Sequence, residues 1–149
     1  ARHVVACDFT NAGISVVDDN LAVEDSTFSG GGISLLRGYM HIDNVAIDNG
    51  VLSVTREDAS QTLYLNNLSI ANTTAAPALR LDGWSFALGP NNQLTNNKYP
   101  VEMSGGLAPG SVVSATGNIN NFVHLKNSNG PTGHDELPAL TVPYLLSDL

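Results

Sequence analysis

The sequence has little charge, a single cysteine and no long apolar run, and each of these shortages excludes a class of protein. Only 13% of the residues are charged, and 6 Lys and Arg stand against 14 Asp and Glu, for a net charge of −8. Nucleic-acid backbones and anionic membrane surfaces are bound by clustered Lys and Arg, so we expect neither as a partner. One cysteine excludes a disulfide framework within the chain and a zinc site built from several cysteines.

The absence of an apolar run of about 18 residues also argues against insertion into a membrane. What the sequence does contain is 42% hydrophobic residues, enough for a real core, together with 16 Asn and 14 Gly. Asn and Gly favour turns over long surface helices. The sequence begins in a strand-like segment and stops in an apolar one, so we expect a fragment of a longer protein.

Apolar residues recur in a repeat of about nineteen residues. The four apolar positions of successive repeats are Val4, Phe9, Ile14 and Val16; Val23, Phe28, Ile33 and Leu35; Ile42, Ile47, Leu52 and Val54; and, with wider spacing, Leu65, Ile70, Leu79 and Leu81. A repeat period near twenty is typical of a solenoid, in which each repeat buries its apolar face only by stacking on its neighbours.

Within each repeat, apolar and polar residues alternate in short pieces that end at Gly, Asn or Asp, which predicts three short strands separated by bends. Stacked at about 4.8 Å per rung, the repeats align their apolar positions in columns. Left-handed corners are expected two residues after the second column, where the residues are Asn11, Gly30, Asn49 and Asn72. Two residues after the first column lie Asp25, Asn44 and Asn67, where stacked Asn side chains can hydrogen-bond from rung to rung.

Later rungs are less regular. We expect Phe86 to continue the first column, and Val101 with Met103 and then Val123 with Leu125 to continue the third strand. Residues 126–138 are rich in turn-forming residues. They either form an excursion from the solenoid or lead into a further rung that starts near Leu140.

Three segments in the second half of the chain carry a resemblance: residues 98–105, residues 107–111, and Val142-Pro143-Tyr144. They are similar to segments of large secreted bacterial proteins, and the chain resembles the right-handed parallel β-helix family, which shares its architecture with pectate-lyase-like proteins. The resemblance implies an all-β, right-handed parallel β-helix of about six rungs, in an extracellular or cell-surface setting. We expect one domain over residues 1–149, with regular rungs in 1–83 and looser rungs with loops in 84–149.

The candidate ligand-binding residues are outward positions of the first strand. The repeat aligns His41 with Tyr64 and Glu24 with Asp43 on neighbouring rungs. Paired carboxylates one rung apart can act as general acid and base, hold Ca²⁺ or bind sugar hydroxyls. The alternative is an ordinary solvated face, since surface charges most often serve solvation alone.

Other patterns in the sequence give weaker evidence for a function. Ser15, Ser34 and Ser53 form an outward hydroxyl ladder that the next position, Arg80, interrupts, so cross-strand pairing explains it better than an ice-binding surface. Asp18 and Arg37 are expected to form an exposed ion pair. Aromatic Trp84 and Tyr99 could stack on sugar rings or only fill a packing site. The four histidines, His3, His41, His124 and His134, are too scattered for a transition-metal site.

These observations favour a non-catalytic structural or adhesive module, with carbohydrate as the candidate ligand. The alternative is a polysaccharide lyase or glycoside hydrolase domain, because this architecture hosts enzymes and passive stalks alike. No catalytic residue and no cofactor are assigned, with Ca²⁺ as the only candidate ion. Because open end rungs expose apolar residues and strand edges, we expect the chain to pair end to end or to pack on the rest of a parent chain.

Overall fold

The protein is described by a computed structural model that covers residues 1–56, 62–83, 86–105, 107–126 and 142–147. These ranges contain strands and no helix. In chain order the strands are β1 (Arg2–Val5), β2 (Asp8–Thr10), β3 (Ile14–Val17), β4 (Leu21–Ser29), β5 (Gly32–Leu36), β6 (Met40–Asp48), β7 (Val51–Thr55), β8 (Leu63–Leu65), β9 (Leu68–Ala71), β10 (Pro77–Asp82), β11 (Phe86–Leu88), β12 (Gln93–Thr95), β13 (Tyr99–Ser104), β14 (Ala115–Thr116), β15 (Val123–Lys126) and β16 (Tyr144–Ser147).

The strands coil into a parallel β-solenoid of about six turns, which confirms the predicted fold class. One sheet runs in the order β1-β4-β6-β9-β12-β14, with β2 paired to β4, β8 to β6, and β11 to β8. The second sheet runs in the order β16-β15-β13-β10-β7-β5-β3. Each strand pairs with the equivalent strand one turn away, because a single turn cannot cover its own apolar side.

The apolar columns have the predicted register. Val4 aligns with Val23, then Ile42 and Leu65. The second column continues beyond Ile70, and the third column extends through every described turn of the second sheet. Full columns are Phe9, Phe28, Ile47, Ile70, Leu94 and Ala115 in the first sheet, and Ile14, Ile33, Leu52, Leu79, Val101, Val123 and Tyr144 in the second.

One predicted position in the first column is wrong. Leu88, not Phe86, aligns with Leu65, whereas Phe86 aligns with Leu63. Both Phe86 and Leu88 point inward and are buried, because they are two residues apart on one strand. Alternation therefore could not distinguish them, and the pairing with β8 decides the register.

The first two strands of each regular repeat belong to one bent sheet instead of two separate ones. In β4 and β6 they are continuous nine-residue strands, bent at Asp25 and Asn44, whose φ angles are 48° and 52°. Side-chain amides and carboxylates stack at this corner, where Asn44 Nδ2 donates to Asp25 Oδ1 at 2.6 Å. The predicted left-handed corner after the second column is confirmed at Asn11, Gly30, Asn49 and Asn72.

Later turns add inward asparagines to the outward corner ladder, which continues where Asn91 Nδ2 donates to Asn67 Oδ1 at 3.0 Å. Asn97 is fully buried, accepts from the backbone N–H of Thr73 at 2.9 Å and donates to the carbonyl of Ile70 at 3.0 Å. Asn92 makes the equivalent pair of bonds with Leu68 and Leu65. These side chains satisfy backbone groups that the corners leave unpaired, so the amides belong to the framework of the solenoid.

The first turn is less covered than those behind it. Val4, Phe9, Ile14 and Val16 are only partly buried, whereas their column neighbours Val23, Phe28, Ile33 and Leu35 are almost fully buried.

Residues 127–141, which include most of the predicted excursion, lie outside the described residues. Strand β16 after them pairs with β15 and adds a further turn to the second sheet.

Candidate functional site

The four residues predicted from the sequence lie on one outward face of the first sheet. Glu24 is the register partner of Asp43, and His41 lies one rung from Ala22 on the same face. The Nε2 atom of His41 is 3.6 Å from Glu24 Oε1. Tyr64 follows on β8 and is 56% exposed. The predicted neighbourhood is therefore correct, and its role in binding stays a prediction.

The carboxylates of this face have partners within the solenoid. Asp43 Oδ1 accepts a hydrogen bond from Asn67 Nδ2 at 2.6 Å. Glu24 has the imidazole of His41 beside it. Within the described residues, no group of three or more His, Cys, Asp or Glu side chains is arranged to hold a metal ion. Carboxylates that are partnered inside the fold are less available to an external ligand.

The expected ion pair at the corner of the second sheet is present. Both carboxylate oxygens of Asp18 accept from the guanidinium of Arg37, at 2.5 and 2.8 Å. The hydrogen bond from Arg37 lowers the pKa of Asp18, although the pair is solvent-exposed. An exposed bidentate pair of this kind links one rung to the next and contributes little to stability.

A second polar cluster lies on the outer face of the second sheet, along the outward column that begins with Ser15, Ser34 and Ser53. Beyond Ser53 the column continues with Arg80, Glu102 and His124, one from each of β10, β13 and β15. Lys126 lies two residues beyond His124 on the same face. We call these four residues, Arg80, Glu102, His124 and Lys126, the Glu102 cluster.

Glu102 is at the centre of the cluster and is only 6% exposed. Its Oε1 atom lies 2.9 Å from Lys126 Nζ and 3.0 Å from Arg80 Nε, and its Oε2 atom lies 3.4 Å from His124 Nδ1. Burial alone would raise the pKa of Glu102, but the hydrogen bond and charge of Lys126, with the charges of Arg80 and His124, lower it. The carboxylate is therefore ionised at neutral pH and holds three side chains in place.

Aromatic rings border the cluster. The Tyr99 ring lies 5.8 Å from that of Phe122 and 6.3 Å from the imidazole of His124, and Phe122 meets His124 edge to face at 6.3 Å. Lys98 Nζ lies 5.5 Å from the centre of the Tyr99 ring, within cation–π range. In a chain with 6 Lys and Arg, three of them, Arg80, Lys98 and Lys126, are in or beside this cluster.

His124 also contacts the last described strand. Its Nε2 atom lies 2.6 Å from Ser147 Oγ, and Ser147 is the register partner of Lys126. Each nitrogen of the imidazole thus has one side-chain partner, Glu102 at Nδ1 and Ser147 at Nε2. The arrangement places a hydroxyl, an imidazole and a carboxylate in a row across three neighbouring strands.

Sequence reasoning missed this cluster although part of the signal was present. The correct alignment of Val101 with Val123 also places Glu102 beside His124, since the two follow directly in the same strands. Ser147 could not be placed, because residues 127–141 separate its strand from β15. Tyr99 was named as a candidate for sugar stacking and lies at the border of the cluster, while Trp84 is outside the described residues.

Comparisons with known proteins add no family to this geometry: no protein-family model, no curated protein and no solved structure matches the chain. No described helix is long and apolar enough to cross a membrane. The function therefore has to be argued from the solenoid and its two outward faces.

Proposed function

We propose that this chain is a rigid structural module of a secreted or cell-surface protein, of the right-handed, pectate-lyase-like β-helix kind, and that it binds carbohydrate. The binding surface we propose is the Glu102 cluster with the bordering rings of Tyr99 and Phe122. The observation that carries the proposal is the combination of aromatic rings, cationic side chains and a buried carboxylate on one face of an otherwise acidic chain.

Sugar recognition needs two kinds of contact, and this face offers both. The apolar face of a pyranose packs on aromatic rings such as Tyr99 and Phe122. Hydroxyl and carboxylate groups of a sugar accept hydrogen bonds from Arg and Lys, and a planar guanidinium suits a carboxylate best. Arg80 and Lys126 are each about half exposed, so they retain donors for a ligand. Acidic polysaccharides are therefore the favoured class of ligand.

The solenoid suits such a role because it holds the face rigid. Strands β10, β13 and β15 are paired in register, and the column residues beneath them, Leu79, Val101 and Val123, are buried. A flat face with its side chains fixed at rung spacing loses little conformational entropy when a linear polymer binds along it. The same rigidity fits a module that spaces or presents other parts of a surface protein.

Binding is best tested with a panel of acidic and neutral polysaccharides, by affinity electrophoresis and by calorimetry on any polymer that retards the protein. Tyr99→Ala removes the ring beside the Glu102 cluster, and Tyr64→Ala is its matched control on the other sheet. Thermal melting and circular dichroism of each variant check that the fold is retained. We expect Tyr99→Ala to weaken binding at least about tenfold, in the range found for stacked aromatic contacts, and Tyr64→Ala to leave it unchanged.

If Tyr64→Ala weakens binding and Tyr99→Ala does not, the site lies instead on the face that contains Glu24, His41 and Asp43. Failure of every polysaccharide to bind would refute the carbohydrate proposal. Release of reducing ends, or of unsaturated products that absorb in the ultraviolet, would favour the lyase or hydrolase alternative instead.

A further inference from the structure

The row formed by Ser147, His124 and Glu102 has a geometry that binding does not require. The side chains come from β16, β15 and β13, which are consecutive strands of one sheet, so the order of the three groups is set by the sheet itself. The hydroxyl lies 2.6 Å from Nε2, and the carboxylate lies 3.4 Å from Nδ1 on the opposite side of the ring. A nucleophile within hydrogen-bond reach of a base, with the base oriented by a third group, is the signature of an activated nucleophile.

The partners of the imidazole determine which nitrogen carries the proton. Since Glu102 is ionised and accepts only, the neutral ring donates its Nδ1–H toward Glu102 and leaves Nε2 as an acceptor. Ser147 then donates its O–H to Nε2, the direction in which a general base removes the proton. The half-exposed Lys126 ammonium lies on the strand beside Ser147, where it can face an oxyanion that develops near that hydroxyl.

We propose that Ser147 is the nucleophile of a hydrolytic site for acyl esters, with His124 as the general base and Glu102 as the residue that positions His124. In the first step a bond forms between Ser147 Oγ and the acyl carbon, and the hydroxyl proton moves to His124 Nε2. The bond from that carbon to the alcohol oxygen then breaks, and Nε2 returns the proton to the departing alcohol. Water next attacks the acyl carbon with the same proton route, which releases the carboxylic acid and restores Ser147.

The substrate class rests on the proposed function. If the rings of Tyr99 and Phe122 hold a sugar, an O-acyl substituent of that sugar is the ester carried to Ser147. O-acylated polysaccharides are therefore the expected substrates, and simple aryl esters should report the chemistry without needing the aromatic rings.

The first experiment labels the intact chain with a fluorophosphonate probe, which reacts with activated serine hydroxyls. The labelled protein is then digested, and mass spectrometry of its peptides identifies the modified residue. Wild-type protein should be labelled at Ser147, and Ser147→Ala should not be labelled. Ser104→Ala is the matched control, because Ser104 lies on the same face but donates its hydroxyl to Asp82 at 2.9 Å. We expect His124→Ala to slow labelling at least about 100-fold, the smaller end of general-base contributions.

Glu102 is tested as a positioning residue by measuring kcat and KM separately for aryl acetate hydrolysis. Glu102→Gln should lower kcat with little change in KM, because the third group that orients the base is lost while the face that binds substrate is kept. Glu102→Asp, which keeps the carboxylate, should retain more of kcat than Glu102→Gln. A purely structural role would lower the melting temperature and the activity together, with no advantage of Asp over Gln.

The outcomes separate this inference from the proposed function. If the wild-type protein is labelled at Ser147 but binds no polysaccharide, the hydrolytic site is retained and the proposal of a sugar substrate is refuted. Sugar binding without labelling, or labelling that survives in Ser147→Ala, would overturn the hydrolytic site and leave a binding face held together by ion pairs. Circular dichroism and the melting temperature of each variant exclude misfolding as the cause of a lost signal.

Discussion

Truncation of the stacked phenylalanines tests the column packing most directly. Phe28 is 1% exposed and lies between Phe9 and Ile47 in the second column, with its ring stacked on that of Phe9 at 4.5 Å and an interplanar angle of 4°. Replacement of a buried Phe by Ala costs about 3–5 kcal/mol through lost burial and a residual cavity. Phe9 is only partly buried on the first turn, so Phe9→Ala should cost about half as much.

Urea unfolding followed by circular dichroism measures both changes, with free energies of unfolding obtained by linear extrapolation. Ile119→Ala serves as the control, because Ile119 is 72% exposed and its truncation should change stability by less than about 0.5 kcal/mol. A loss below about 1 kcal/mol for Phe28→Ala would refute the stacked column. Equal losses for Phe28→Ala and Phe9→Ala would mean that another molecule covers the first turn, and light scattering would then show end-to-end association.

Three further predictions follow from the packing and the charges. An added Cβ at Gly50 would lie 1.6 Å from the carbonyl oxygen of Gly31, so Gly50→Ala should lower the melting temperature far more than Gly110→Ala, where no atom lies within 4 Å and only the positive φ opposes a side chain. Asn97→Ala should lower the free energy of unfolding in urea by about 1–3 kcal/mol, because two buried backbone groups lose their partner. A loss below about 0.5 kcal/mol, which is typical of surface substitutions, would contradict this. Glu102 has a lowered pKa in the fold, so its ionic contribution is present above its ordinary value of 4.5 and is lost as the pH falls below it. The difference in unfolding free energy between wild type and Glu102→Gln should therefore be largest near neutral pH and shrink in acid, and a difference that stays constant would show that the charge does not contribute.

The regular part of the fold could be predicted from the sequence because its determinants are local and repeated. An apolar residue at Val23 or Ile33 has to face inward, and the next repeat places its equivalent at the same distance along the chain. Corner residues such as Asn11 and Asn49 are likewise recognisable, since few residues tolerate a left-handed backbone. The corner at Arg37, with φ of 56°, lacks this residue signal, and only the alignment of Arg37 with Asp18 in the repeat indicates it.

The candidate site was harder to predict, because it depends on the less regular turns. The face that contains Glu24 and Asp43 belongs to the regular repeats and was placed correctly. The Glu102 cluster combines residues separated by 22 positions from one turn to the next, and Ser147 reaches His124 only after a long intervening segment. No spacing rule connects those two residues before the strands are paired.

What the sequence by itself determined is the repeating alternation of apolar and polar residues, and hence a parallel β-solenoid with buried columns and Asn- or Gly-rich corners. Only the tertiary structure decided which strands of the first sheet pair beyond residue 72, the position of Leu88 instead of Phe86, and the meeting of Glu102, His124 and Ser147. The physical reason is that the direction of a side chain follows from alternation within one strand, whereas its neighbours across the sheet follow from the hydrogen-bond register between strands. Insertions of variable length change that register without altering the pattern of any single strand.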